Sequence, residues 1–367
     1  MAIRRKTIIV VTVIVAAMII AVALLLSIFG GLNRYRPEII SYLHQKTGLP
    51  VEIGRLTLTL FPSPSILVDD FGLKNPPIFP PGYVVKAPRI YAKIDAGALL
   101  HGQIVIKSLR LEDPIINLIS DPDGLWNFEN PAKSKTLEAA FSLGAISKVE
   151  IRGGQLSISD LIEPSDAPGP VFFEAHNLSS VLQQVDLGAF LHSSSTSVAA
   201  QGGLKADSFR FGAIQATGVQ SRLRLIGKRI FLTGIKLGAY GGRASGNLSF
   251  NLAGQNTAFI ANAQMSGVDV AHLLAAFPSG RGKMTGKMKG NLRLAGEIER
   301  THDPLAGIHG TGRVTVRNGQ VPSLKLNVNL MKLAHFNNLG PAKKDPSSFS
   351  SISTDLELGG PRISSRA

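Results

Sequence analysis

Reactive side chains are few in this sequence, and their spacing argues against catalysis. The 367 residues include no cysteine, which excludes disulfides, thiolate zinc sites, iron–sulfur centres and cysteine nucleophiles. Eight histidines (His44, His101, His176, His192, His272, His302, His309, His335) are dispersed. His302, Asp303 and His309 are close in sequence, but a metal site takes three or four ligands, so surface histidines are the better reading. Asp121-Pro-Asp123-Gly124 opens like a calcium loop; the remaining ligands are missing, which favours a tight turn. Glu112-Asp113 precedes Pro114 at the end of a strand and reads as a solvated turn. Gly280-Arg-Gly-Lys-Met-Thr-Gly286 has the wrong spacing for a phosphate loop and reads as a turn between a helix and a strand. No G-x-x-x-x-G-K-[ST], H-E-x-x-H or G-x-S-x-G occurs. The expectation is no enzyme, no cofactor and no metal.

Charge is more informative. Lys+Arg is 39 and Asp+Glu 25, a net of +14. Residues 1–200 hold 17 of each sign, and residues 201–367 hold 22 basic and 8 acidic, so the whole excess is C-terminal. Such a field attracts nucleic acid, or anionic lipid and phosphate surfaces. The cations cluster as Arg222, Arg224, Lys228 and Arg229, then as Arg281, Lys283, Lys287 and Lys289. Nucleic-acid binding also wants stacking aromatics, and these are only 6% of the chain. Two readings remain: a solvated face with cations guarding strand edges, or a rim for anionic head groups.

Residues 8–29 are apolar except for Thr12 and Ser27. As a helix they would span roughly 33 Å, enough for a ~30 Å hydrocarbon core. A signal peptide has a shorter apolar core and an Ala-x-Ala-like site after it; Gly30-Gly-Leu-Asn-Arg34 is no such site. An uncleaved anchor is expected over residues 1–31. Arg4, Arg5 and Lys6 place its N-terminus in the cytoplasm. In a Gram-negative cell the bulk then lies in the periplasm, which disfavours nucleic acid.

The residues after the anchor predict a mainly β fold. Arg36 to Gly48 reads as a short helix, with Pro37 at its first position, Glu38 at the N-terminal end and Gly48 just past the C-terminal end. Period-2 alternation follows at Leu56, Leu58 and Leu60; Leu109 and Leu111; Leu156 and Ile158; Leu223 and Leu225; Val314 and Val316; and Leu324, Leu326 and Val328. Alternation gives a sheet one apolar and one wet face. Pro122-Asp-Gly124, Gly153-Gly154, Gly241-Gly242 and Asn318-Gly319 read as the turns between runs. Short helices are expected after Asp269 and at about 331–338, with a weaker one after Asp186. Linkers are expected at 130–140 and 193–197, and Pro-rich 62–88 reads as irregular.

An ordered set of stretches resembles the AsmA family of Gram-negative envelope proteins. The carriers are Thr47-Gly-Leu-Pro-Val-Glu-Ile-Gly-Arg-Leu-Thr-Leu-Thr-Leu-Phe-Pro-Ser-Pro64, Val68-Asp-Asp-Phe-Gly-Leu-Lys-Asn-Pro76, Ile106 to Leu118, Asp123-Gly-Leu-Trp-Asn-Phe-Glu129, Gly267 to Leu274 and Gly310 to Pro322. The resemblance covers about 1–160 and 260–360. It implies an inner-membrane anchor, an elongated, curled antiparallel β-sheet with an apolar groove, and non-enzymatic phospholipid movement supporting outer-membrane assembly. It divides the exported part into an N-terminal β-groove region (32–160), a middle sheet (161–260) and a C-terminal region (261–367) that looks incomplete against the family. The alternating apolar residues named above would line the groove, and the two cation clusters would form its anionic head-group rim. Roughly 22 strands at ~4.8 Å would make a sheet ~100 Å long. The expected partners are the inner membrane, phospholipid and envelope proteins, not nucleic acid. The competing readings are an envelope scaffold that binds proteins through sheet edges and an anchored hydrolase.

Overall fold

A computed structural model describes residues 32–59, 63–95, 97–98, 105–128, 146–161, 168–186, 197–252, 257–277, 281–298, 307–322, 347–359 and 362–366. The expected anchor, the helix at 331–338, the run at 324–330, the linker at 130–140 and the segment after Asp186 lie outside the described residues. Within them, no helix is long and apolar enough to cross a membrane.

The protein is mainly β, one large curled sheet with few helices. Its first edge is split into β1 (Val51–Glu52) and β2 (Leu56–Thr59), which both pair with β3 (Ser65–Lys74). β4 (Tyr83–Ile94) follows and pairs with a second split strand, β5 (Ile106–Glu112) and β6 (Ile115–Ser120). β7 (Ile146–Leu161), β8 (Pro168–Val185), β9 (Val198–Phe211) and β10 (Ile214–Ile226) continue the sheet. It runs on through β11 (Arg229–Ala239), β12 (Gly242–Asn251), β13 (Thr257–Asp269) and β14 (Lys287–Ile298). β15 (Ile308–Gln320), β16 (Ser348–Gly359) and β17 (Arg362–Arg366) bring the sheet to 17 strands among the described residues. From β7 onward each strand pairs antiparallel with the next, and the β9–β10, β10–β11 and β11–β12 connections are tight turns of the kind that favour such neighbours.

Four expectations need correction. The sheet is not wholly antiparallel: β5 and β6 run parallel to β7. A parallel pair needs a long crossover, and residues 121–145 supply it. The stretch expected to be irregular, described from residue 63 to 88, instead holds β3 and the first half of β4. Its prolines sit where no ladder N–H is needed. Pro76 and Pro80 lie in the β3–β4 connection, and Pro88 lies opposite Asp70 (φ +52), at a gap in the ladder between the Asp69↔Arg89 and Phe71↔Ala87 pairs. Gly153-Gly154 and Asn318-Gly319 are not turns. Gly153 (φ +67) is a bulge inside β7, and Asn318 (φ +50) lies within β15, its pairing with β16 in register on both sides. A bulge asks for the same left-handed backbone as a hairpin turn.

α1 (Arg36–Thr47) forms as its sequence suggests. Pro37 occupies the first turn, and Gly48 closes the helix at φ +73, donating its N–H to the His44 carbonyl at 2.8 Å. Ile39, Ile40 and Leu43 pack on buried Val51, Ile53 and Leu56. The helix thus lies across the apolar face at the first edge of the sheet.

α2 (Val270–Ala275) covers the strand ends between β13 and β14. Leu273 and Leu274 pack on buried Val268, Val270, Met288, Val314 and Val316. Asp269 caps it, Oδ1 accepting the His272 N–H at 3.1 Å, and Lys287 Nζ stands 3.2 Å from Oδ2. The His272 N–H, and then Lys287, hold this carboxyl below the ordinary carboxylate range. The cap's contribution is therefore full above about pH 4 and fades as pH falls through the lowered value. Asp269→Ala should cost ~1 kcal/mol, about fivefold faster amide exchange over 270–275 at neutral pH. The gap from wild type should close in acid; a gap constant with pH would remove the carboxylate from the account.

Candidate functional site

Cross-strand register, not local sequence, reveals the site. Directly opposed residues project to the same face. Starting at Leu58, the partners are Ile66, Ala92 and Leu109 on β3 to β5, then Val149, Leu182 and Gly202 on β7 to β9. The row continues through Leu223, Leu232, Leu248, Ala261, Leu294, Gly310 and Leu358 on β10 to β16. All fourteen positions are apolar or glycine. At ~4.8 Å per strand, the row follows the sheet for about 60 Å. Parallel rows widen it: Leu225, Ile230, Phe250 and Phe259 on one side, and Ile235, Gly246, Ala263, Leu292, Gly312 and Leu356 on the other.

The opposite face is polar. Lys205, Gln220, Lys236, Ser245, Gln264, Asn291, Arg313 and Asp355 oppose one another across β9 to β16. Arg313 and Asp355 form a two-pronged pair, with contacts of 2.6 and 3.0 Å. Exposure follows the two faces. Along β12 and β13, Arg243, Ser245, Asn247, Asn262 and Gln264 are exposed, while Ala244, Gly246, Leu248, Ala261 and Ala263 are sheltered.

Shelter on the apolar face is only partial. Of the fourteen row positions, Ala92 alone is buried; the others are half-buried. A sandwich core would bury them against a second sheet. Glycines help this face to curl: a Cβ on Gly202 would run into the Val181 carbonyl, and one on Gly246 into that of Asn262. The result is an elongated, one-sided groove with half-exposed apolar walls.

The sequence-predicted groove residues fall within this pattern to different depths. Leu58, Leu109 and Leu223 lie in the long row. Leu225 lies in the row beside it, and Leu111 opposes Ile90 and Ile151. Leu156 packs with Ala175, Leu178, Ala206 and Val219, and Ile158 opposes Phe173. Leu56 is buried with the residues under α1, and Val314 and Val316 are buried with those under α2. Leu60, Leu324, Leu326 and Val328 lie outside the described residues. Val149, Leu182, Leu232, Leu248 and Leu294 were missed, although the alternation through 244–250 was there to find the fourth.

The predicted rim cations do not converge. Arg222 and Arg224 stand on the polar face, between Leu223 and its neighbours. Lys228 and Arg229 sit at the β10–β11 turn, one end of the strands. Arg281, Lys283 and Lys287 lie at the other end, beside α2, and Lys289 enters β14 from there. Arg281 Nε donates to the Ala275 carbonyl at 3.3 Å, and Lys287 is paired with Asp269. Among the described residues, no group of three or more His, Asp or Glu is placed to hold a metal ion.

A large curled sheet with one continuous apolar face defines a β-groove protein. The AsmA family model matches residues 4–164, and the match supports placing the chain in that family. No curated protein matches the chain.

Proposed function

We propose that the chain is an inner-membrane-anchored periplasmic protein that carries phospholipid acyl chains along its apolar groove and thereby supports outer-membrane assembly, without catalysing a reaction. The observation that carries this reading is the fourteen-strand row of half-buried apolar positions. Each methylene moved from water onto such a surface gains ~0.8 kcal/mol. An acyl chain lying there needs no directional contact, so it can slide, while its head group stays in water. The AsmA family match and the apolar run at 8–29 support the location. The polar opposite face suits water, and the C-terminal cations suit anionic head groups or phosphates through contacts that salt weakens.

Photo-crosslinking in cells tests this directly. A photoreactive residue at Leu232 or Leu294 should yield phospholipid adducts, and one at Ser245 or Gln264, on the other face, should not. Equal labelling of both faces, or protein adducts alone, would favour the scaffold reading over the carrier.

A further inference from the structure

The sheet's first edge carries a chemically different cavity. Between β1 and β2 the chain leaves the ladder at Gly54 and Arg55, opening a notch of about 750 Å3. Arg36, Arg55 and Arg89 line it together with Asp69 and Asp70. The local sequence builds this shape. Gly54 donates its N–H to the carbonyls of both Asp69 (3.0 Å) and Asp70 (3.2 Å). Asp70, at φ +52, breaks the regular backbone of β3 opposite Pro88. Asn33 fixes the approach of α1, its Oδ1 accepting the Leu56 N–H at 2.8 Å.

The charges here are held apart. Elsewhere in the sheet, opposite charges close into pairs, as Lys74 does with Glu52 and Arg313 with Asp355. Among the described residues, no ion pair within 4.0 Å engages any of the five notch groups. Arg89 keeps a side-chain hydrogen bond to Tyr91, and the three guanidiniums and two carboxylates line one open space. Guanidinium forks match phosphate oxygens, and carboxylates accept from an ammonium. A free phosphate would meet the arginines but be repelled by both aspartates. A ligand carrying both signs satisfies the whole set.

The geometry points to a zwitterionic phospholipid head group, a phosphate joined to an amino alcohol such as ethanolamine, as the ligand of this notch. This rests on the carrier reading above and adds a head-group preference at the point of loading. Asn33 follows the apolar run at 8–29 by four residues, so the notch stands beside the expected membrane surface. Arg36 opens α1, whose Ile39, Ile40 and Leu43 lie on the apolar face near Leu58, where the long row begins. Asp69 and Arg89, one residue out of step with Val68 and Ile90, project to the other face, so a head group in the notch would sit at the sheet edge, with Arg36 on α1 as its link to the apolar side.

The test uses the full-length chain in mild detergent, exchanged against vesicles of equal phosphatidylethanolamine and phosphatidylglycerol, with bound lipid read by mass spectrometry. Wild type should enrich the ethanolamine lipid. Asp69→Asn with Asp70→Asn should cut that enrichment about threefold, the scale of one partly exposed ion pair, and leave total lipid unchanged. Asparagine tolerates positive φ, so the backbone at position 70 survives; an unchanged β-sheet circular dichroism spectrum checks it. Arg55→Gln with Arg89→Gln should lower both lipids. Excess inorganic phosphate should leave the ratio alone. No enrichment in wild type, enrichment unmoved by the double Asn change, or loss of preference to phosphate would overturn the head-group assignment while bound lipid kept the carrier reading standing. A wild-type chain that takes up no lipid would remove both.

Discussion

Leu248→Glu is expected to strip phospholipid from the protein by at least tenfold while leaving the sheet folded. Leu248 stands mid-row between Leu232 and Ala261 and is half-buried. In the empty groove a glutamate there keeps much of its water, so folding loses little beyond one half-buried leucine. An acyl chain passing over it must desolvate the carboxylate, at several kcal/mol unless the group takes up a proton. About 1.4 kcal/mol of that penalty already makes the tenfold loss. Gln264→Glu adds the same charge to the exposed polar face and should leave bound lipid unchanged. The readout is phospholipid per mole of purified protein, with thermal unfolding as the control for structure. Full lipid in the Leu248 variant, or equal loss in both, would mean that chains do not travel this face.

The parts of the fold that were legible in the sequence are those set by neighbours along the chain. Pro37, Glu38 and Gly48 marked α1, and Asp269 marked α2, because capping is a local matter. Alternation at Leu223, Leu225, Val314 and Val316 marked strands. Gly153-Gly154 and Asn318-Gly319 misled, because left-handed backbone occurs inside a strand as well as at a turn and only pairing tells the two apart. Register was hidden for the same reason. Gly202, Ala261 and Gly310 look unremarkable in their own strands, yet they continue a row that leucines from other strands define. The charged notch was hidden still more deeply. Arg36, Arg55, Asp69 and Arg89 are spread over 54 residues of a half whose net charge is zero, so charge counting drew attention to the opposite end of the chain.

Asn127→Ala should destabilise the parallel part of the sheet by about 3 kcal/mol. Asn127 is fully buried in the crossover between β6 and β7. Its Oδ1 accepts the Ile119 N–H at 3.0 Å, and its Nδ2 donates to the Asn117 carbonyl and to Asn75 Oδ1, both at 2.9 Å. Asn117 in turn donates to the Tyr83 carbonyl at 3.2 Å and accepts from Ser157 Oγ at 2.7 Å. One amide therefore ties the crossover to β6 and the β3–β4 connection, and through Asn117 to β4 and β7. Alanine would leave the buried Ile119 N–H without a partner, at ~1–3 kcal/mol, and take a partner from the half-buried Asn75 Oδ1 at a smaller cost. Asn127→Asp should do no better, since it keeps the acceptor but loses both donors and adds a buried charge. Amide exchange at Ile119 should speed by roughly a hundredfold, the kinetic equivalent of that loss if opening is local. The same change tests how the groove is held together. The long row passes from Leu109 to Val149 across the parallel β5–β7 pairing, beside the strands this amide clips. If that junction loosens, lipid adducts should fall at Leu232 and Leu294, beyond it, more than at Leu58 before it. Unchanged exchange over 115–120 would show that backbone pairing alone holds the crossover, and an even fall in adducts along the row would separate the crossover from the path of the lipid.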